Sequence, residues 1–509
     1  MLAFAALTGP LPKVGVVAVA GVVAAALLVP GTRTRAVAIL AALVLAPVLL
    51  LADIWHSPQL GPVHRHPLLA VLGALVALAV LAGVAAVINR RPALFGLLAV
   101  AALPFRVPIQ AGGTTSNLLV PLYLVVAAGA LAFVVPALRN RGDGAERNGA
   151  VDDVAQPGWV ERLLALYVVL YAIQSVYSVD FEKALQQMAF FYVPFAVMFC
   201  LLRRLRWTPV LVRRCLLLIT ALAVVFAVIG FVEYATKTII LNPKLVVAND
   251  LHTYFTVNSV FFDPDIFGRF LALVMILLAA VLIYSRRQRE QLSATGALAV
   301  LWAGLVLTLS RSSLAALLLG LAILAALRWK VGRAVLVGAA VLALGAAVVA
   351  ISPNTFGLNQ GLNGASSGRA GLVSGGLDMF RDRPLWGYGS GAFVAEYRAR
   401  HRHTNTTLAA SHTIAITIAA EQGLIGEVPY VALVLVAAVV LLKGSRSDPT
   451  RAAIAAAFLA LVFHTLLYAD FLEDPVTWAL LGVGTALAVP RPRLRSAGLR
   501  TGEAVRVPV

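Results

Sequence analysis

Three observations make this chain an all-α, polytopic membrane protein. Of its 509 residues, 61% are hydrophobic and only 13% charged, whereas soluble domains carry about a quarter charged residues. Mean hydropathy is +0.90. Apolar runs near the roughly 20 residues that a helix needs to cross the hydrocarbon core recur from Val14 to Pro490.

The elements follow from where the charges fall. Basic clusters stand at Arg33/Arg35, Arg90/Arg91, Arg139/Arg141, Arg203 to Arg214, Arg286/Arg287/Arg289, Arg328/Lys330/Arg333, Lys443/Arg446/Arg451 and Arg491 to Arg500. Short basic clusters between apolar runs mark cytoplasmic loops. Placed on one side, they leave fifteen spans near 14–29, 36–53, 67–88, 93–104, 117–138, 159–178, 184–202, 210–233, 263–284, 293–309, 313–327, 334–351, 412–442, 452–469 and 475–489. This expectation puts the N-terminus outside and the C-terminus in the cytoplasm of a multi-pass protein of the plasma (inner) membrane. The last twelve spans form a core over 92–489, preceded by three extra helices in 1–91 and followed by a basic tail at 490–509. Residues 138–158 are charged, Gly-rich and aperiodic, as a cytoplasmic linker would be.

Residues 352–411 are the longest interruption and fall outside. Ser366 and Ser367 are helix-capping residues, and Leu372, Val373, Leu377 and Phe380 then share one helical face. Pro384 stops that helix, and the glycines of Trp386 to Gly391 make a tight turn. The expectation is an ordered helical subdomain on the outer membrane surface.

The net charge of +18 does not point to nucleic acid, because the basic residues lie between apolar runs and not on one soluble face. Cys200 and Cys215 form no disulfide framework or metal spacing. No metal motif stands outside, and His401 and His403 lack a third ligand.

Outer arginines are the exception to the positive-inside pattern. Arg106, Arg269 and Arg311 sit at span ends and Arg369 lies in the large loop. Two readings stand for each: snorkelling to headgroups, or gripping a lipid-linked phosphate with the guanidinium fork. Arg311 lies in the break Leu307 to Ser313, a turn tight enough to hold its side chain near the protein interior. Arg398, Arg400 and Arg402 read as a solvated basic run. Asp470, Glu473 and Asp474 crowd another outer turn, where they pair with outer arginines. His412 opens a long span as either a cap or a proton-transfer group. Glu421, deeper in that span, either pairs with an arginine or serves a site.

The motifs Ser310-Arg-Ser-Ser313, Gly368-Arg369, Met379 to Phe393, His412 and Glu421-Gln-Gly-Leu-Ile-Gly426 resemble the O-antigen ligase and polymerase superfamily. The resemblance is specific from about Val260 onward and weaker upstream, where it rests on hydropathy and on Ser178 to Leu185. It implies a C-type glycosyltransferase-like core that moves a glycan from undecaprenyl pyrophosphate to an acceptor hydroxyl on a polysaccharide, lipid or protein, without metal or cofactor. By the same resemblance Arg311 and Arg369 would hold the pyrophosphate; Arg269 and Arg106, as outer arginines at span ends, are expected to bind the donor beside them. His412 would orient or deprotonate the acceptor, and Ser310, Asp382 and Glu421 would support the site. Thr413 departs from the family, which commonly has Asn after the histidine. Ligase and polymerase differ only in acceptor and both remain open. A flippase for lipid-linked glycans is the rival from another class, and a midplane cavity lined by Glu233 and Glu421 would favour it.

Overall fold

The computed structural model describes residues 10–55, 61–111, 114–139, 156–241, 255–329, 369–401, 413–468 and 471–489, with scattered positions between 242 and 254 and between 332 and 343. Among the described residues, eleven helices are long and apolar enough to cross a membrane. Fourteen of the fifteen expected spans are helical; the span at 334–351 lies largely outside the described residues. The protein is an all-α, multi-pass membrane protein.

In chain order the helices are α1 (Pro10–Leu28), α2 (Thr32–Ile54), α3 (Gly61–Arg65), α4 (Pro67–Arg90), α5 (Ala93–Ala102), α6 (Val120–Arg139), α7 (Trp159–Ser175) and α8 (Phe181–Gln187). A π-helical turn, Met188–Tyr192, joins α8 to α9 (Val193–Arg204). Then come α10 (Pro209–Thr236), α11 (Pro264–Tyr284), α12 (Gln288–Thr308) and α13 (Arg311–Arg328). The outer loop supplies α14 (Arg369–Asp382) and α15 (Phe393–Arg400), and the chain closes with α16 (Ile414–Leu442), α17 (Pro449–Leu467) and α18 (Pro475–Ala488).

Several helix starts are written in the sequence as a capping residue followed by proline. Thr208, Asp263, Asp448 and Asp474 each accept a backbone N–H of the first turn. The proline after each takes the first helical position, where no donor is required.

One feature the hydropathy reading did not contain is a small hairpin, β1 (Val107–Ala111) against β2 (Thr114–Leu118), antiparallel with Ile109 opposite Ser116. It fills the connection between α5 and α6. The ten-residue α5 is too short to cross the hydrocarbon core unaided, since ten residues rise about 15 Å.

Two apolar cores hold the bundle. One joins α1, α2, α6, α7, α9, α16, α17 and α18 around Phe195, Phe199, Phe458 and Trp478. The other joins α10 to α13 and α17 around Phe226, Phe267 and Ile276. Although α1 and α2 precede the expected core, their faces with Val16, Val23 and Ile39 are buried in the first of these. α4 behaves differently: it buries only Ala85 and Ile88 and leaves Leu68, Leu72 and Leu75 exposed, as a lipid-facing helix does.

A third, smaller core of Leu372, Met379, Tyr388, Phe393, Tyr397 and Ala420 seats the outer subdomain on α16. Of the expected face of α14 only Leu372 is in this core; Val373, Leu377 and Phe380 are half-buried, the packed face is Leu372, Gly375, Gly376 and Met379, and Pro384 follows the helix end. The attachment depends on a break in α16, where Gly423 adopts φ 61° and ψ −161°. The backbone groups freed at the break are taken up by the glycine loop. Tyr388 N–H donates to Ala420 O (3.2 Å) and Gly389 N–H to Glu421 O (2.7 Å), while Leu424 N–H donates to Pro384 O (2.8 Å). Gly387 has φ +65°, and a Cβ there would lie 2.2 Å from Glu421 O, so only glycine fits.

The Glu421 carboxylate completes this lock by accepting from Gly391 N–H (2.8 Å) and Phe393 N–H (3.0 Å). Its partners are backbone amides, not an arginine. The same loop is tied to α7 and the 178–185 motif: Ser178 Oγ donates to Ser390 O (2.8 Å) and Ser390 Oγ to Tyr171 O (2.8 Å). Glu421→Ala should leave two buried amides without acceptors. At about 1–3 kcal/mol each, this loss should appear as a clear drop in the melting temperature of the detergent-solubilised protein. An unchanged melt would mean that the lock is not a stabilising element.

Candidate functional site

The starts of α11, α13 and α18 share one end of the bundle, which the charge pattern assigns to the outside. α12 ends at Leu309 with φ 52°, a left-handed residue that turns the chain in one step. Ser310 then caps α13 by accepting Ser313 N–H (3.3 Å). Gly268 on α11 lets this turn sit close, since a Cβ there would be 2.8 Å from Ser313 Oγ.

Beneath the turn lies a dense polar cluster. Ser310 Oγ donates to Asp265 Oδ1 (2.5 Å), Ser312 Oγ donates to the same oxygen (3.3 Å), and Ser313 Oγ donates to Asp265 O (3.2 Å). His464 of α17 is wholly buried, with Nε2 3.2 Å from Ser312 Oγ and 3.1 Å from Ser313 Oγ.

These contacts correct one expectation. The turn is tight, but it directs Ser310, Ser312 and Ser313 inward, and Arg311 is exposed at the outer end. The reason is local: residues 312 and 313 occupy the face of α13 packed on α11 and α17, and residue 311 falls on the opposite side.

One helical turn beyond Asp265 stands Arg269, 3% exposed. Its Nη2 is 2.7 Å from Asp474 Oδ2, and its guanidinium lies 5.9 Å from the Tyr468 ring centroid. Its Nη1 is buried, with no hydrogen-bond partner among the described residues. Arg269 and the half-buried Arg106 line one crevice together with Phe261, Phe270 and Asp474. Asp474 thus meets the expectation of an acidic residue paired with an outer arginine. Glu473 instead accepts from Gln187 Nε2, and Asp470 lies outside the described residues.

Two of the expected central residues cannot be placed beside this crevice. His412 lies outside the described residues; Arg369 is the first residue of α14, and its side chain lies outside them too. Asp382, at the end of α14, is bonded to Arg400 Nη1 (2.6 Å), whose Nε also reaches Glu396 (2.8 Å). Arg400 is therefore not part of a solvated basic run. Burial works against its charge, but the bonds to Glu396 and Asp382 outweigh it and raise the guanidinium above its ordinary value. Among the described residues no group of three His, Cys, Asp or Glu side chains lies close enough to hold a metal ion.

Residues 296–431 match the family model described as O-antigen ligase. The matched region covers about a quarter of the chain, and over that region it supports a likeness to the O-antigen ligase and polymerase superfamily. No curated protein matches the chain. The O-antigen ligase match spans α12, α13, the outer subdomain and α16 as far as Val431. It therefore contains the Ser310–Ser313 turn, the glycine loop and the break at Gly423. Asp265, Arg269, His464 and Asp474 lie outside the matched residues, yet they contact or neighbour the turn. Asp265 and His464 were not singled out by sequence. A lone histidine in the apolar, alanine-rich run 452–469 was the available signal, and its meaning depends on partners 152 and 151 positions away.

Proposed function

We propose that this O-antigen ligase-type protein transfers a glycan from undecaprenyl pyrophosphate to an acceptor hydroxyl at the outer face of the plasma membrane. The observation that carries the reading is Arg269. A guanidinium so deeply buried is costly unless compensated, and Asp474 satisfies only one of its ends. The other end, in a crevice shared with Arg106, is suited to phosphate oxygens.

In this reading Arg106 and Arg269 grip the pyrophosphate, and Arg311 and Arg369 close over it. Four guanidinium groups supply the charge that stabilises the departing pyrophosphate, so the reading includes no metal ion. His412 orients or deprotonates the acceptor hydroxyl. The Asp265–Ser310 contact and the Glu421 lock hold the turn and the outer subdomain in register, which is where positioning contributes to rate. The core at 92–489 carries the reaction, with 1–91 added to it, the N-terminus outside and the 490–509 tail in the cytoplasm.

A midplane cavity faced by both Glu233 and Glu421 would have favoured the transporter reading. Both carboxylates are instead engaged by backbone amides of separate outer segments. Glu233 accepts from Ile240 N–H (3.2 Å), Asn258 N–H (3.2 Å) and Ser259 N–H (2.7 Å), far in sequence from the amides held by Glu421.

The deciding measurement is the glycan profile of cells lacking the protein and complemented with wild type or His412→Ala. Long lipid-linked polymer with a bare acceptor is expected of a ligase, and an acceptor bearing single repeat units of a polymerase. His412→Ala should insert normally and fail to restore the profile. Full restoration would remove His412 from the reaction.

A further inference from the structure

His464 is wholly buried in the last turn of α17, a helix that is otherwise apolar or small along its packed face. An imidazole at such a place is costly unless its polar atoms are engaged, and a leucine of similar size would pack there without that cost. The turn beside it fixes the ring's role. A serine hydroxyl has one proton to give, and all three hydroxyls of the turn are directed at Asp265: Ser310 and Ser312 at Oδ1, Ser313 at the backbone O. Toward His464 the Ser312 and Ser313 oxygens therefore act as acceptors. Nε2 carries the ring proton and shares it between them, at 3.2 Å and 3.1 Å.

The same residues connect two of the outer arginines. Asp265 and Arg269 stand one turn apart on α11, so the Asp265–Ser310 contact sets the Arg311 turn against Arg269 from one side. Tyr468 follows the end of α17, four residues after His464. The two rings lie 5.8 Å apart, and the Tyr468 ring flanks Arg269, 5.9 Å from its guanidinium. His464 thus ties the turn, from the other side, to the segment that borders Arg269.

We infer that His464 is a positioning residue: by donating to Ser312 and Ser313 it sets the span between Arg269 and Arg311, and so the fit of these arginines to the charge that grows as pyrophosphate departs. The inference rests on the proposed glycan transfer and adds to it a residue that acts only through the turn. Without the Nε2 donor the turn keeps its bonds to α11 but loses its tie to α17, and Arg311 shifts relative to Arg269. A misplacement near 1 Å of a group that serves the transition state can cost about 100-fold in rate.

Kinetics separate positioning from packing. In membranes, His464→Leu should lower kcat for transfer by up to about 100-fold. KM should stay within about twofold of wild type, because the span governs the transition state and not the bound ground state. His464→Gln places an amide N–H near the position of the imidazole Nε2–H and should recover most of kcat. His464→Asn, whose amide stands closer to the backbone, should not. In the Arg311→Lys background His464→Leu should cost less than about threefold more, since both changes act through one group. A raised KM with unchanged kcat would overturn the inference. So would a folded His464→Gln protein no better than His464→Leu, or an undiminished loss in the Arg311→Lys background. If His464→Leu does not insert, the Ser312→Ala, Ser313→Ala double variant removes the acceptors instead and carries the same expectations.

A second readout requires no transfer. Inorganic pyrophosphate, which bears the charge of the departing group, should raise the melting temperature of the purified full chain. That shift should shrink in parallel in Arg311→Lys and His464→Leu and return in His464→Gln. This pattern in a protein that transfers no glycan would sink the proposed function and leave the positioning role standing. Normal transfer by His464→Leu, with transfer lost in Arg311→Lys, would do the reverse.

Discussion

Arg311→Lys is expected to lower glycan transfer by about 100-fold, the scale of losing one preorganised donor to a developing anion, while leaving expression and melting temperature near wild type. The charge is conserved, so the loss isolates the fork: lysine offers one point charge where arginine offers two parallel N–H groups. Arg311 is exposed at the first residue of α13, and the inward residues Ser310, Ser312 and Ser313 carry the packing, so the substitution leaves the packed face of the turn unchanged. Transfer assayed in membranes against endogenous lipid-linked glycan provides the measurement. Activity within a fewfold of wild type would remove Arg311 from the phosphate clamp and leave Arg269 and Arg106 as its core.

Asp474→Ser is expected to be the most destabilising single change at the outer end. Serine can still cap α18, so the helix start is retained, but the partner of Arg269 is gone. Breaking a buried ion pair from one side typically costs about 3–5 kcal/mol, because the remaining charge is stranded. With both side chains 4% exposed, this pair meets that condition. Adding Arg269→Met should recover much of the stability, since the stranded charge is removed with it. Transfer should not recover, because the phosphate end of the donor would then lack its buried guanidinium. Thermal melts of the single and double variants test the first statement and transfer assays the second. Recovery of both would make the pair purely structural.

The sequence made the fold legible because bilayer-spanning helices have few alternatives, and the Thr-Pro and Asp-Pro starts marked where four of them begin. The hairpin at 107–118 was invisible because a short outer connection carries no hydrophobic periodicity long enough to read. The direction of Arg311 was misread because a tight turn constrains the backbone, while the face on which each side chain falls is set by helix packing. The Gly387 and Gly423 positions stood out as motif residues, but only the structure shows that each removes a side chain from the other's path. Arg269 and Asp474 were both noticed, and their pairing was anticipated in kind. His464 and Asp265 were not, because a network spanning three helices leaves no spacing pattern in the chain.

The break at Gly423 also bears on how the protein is made. Its backbone groups are completed by residues 384–389, and the Glu421 carboxylate by the amides of Gly391 and Phe393, some thirty positions earlier in the chain. The outer subdomain therefore cannot finish folding as it emerges across the membrane. It must wait until the first half of α16 has been synthesised and inserted, so translocation of the loop and entry of the next helix become one assembly step. A chain that stops before Ala420 should leave the glycine loop without its counterpart, exposed to proteolysis from the outer side.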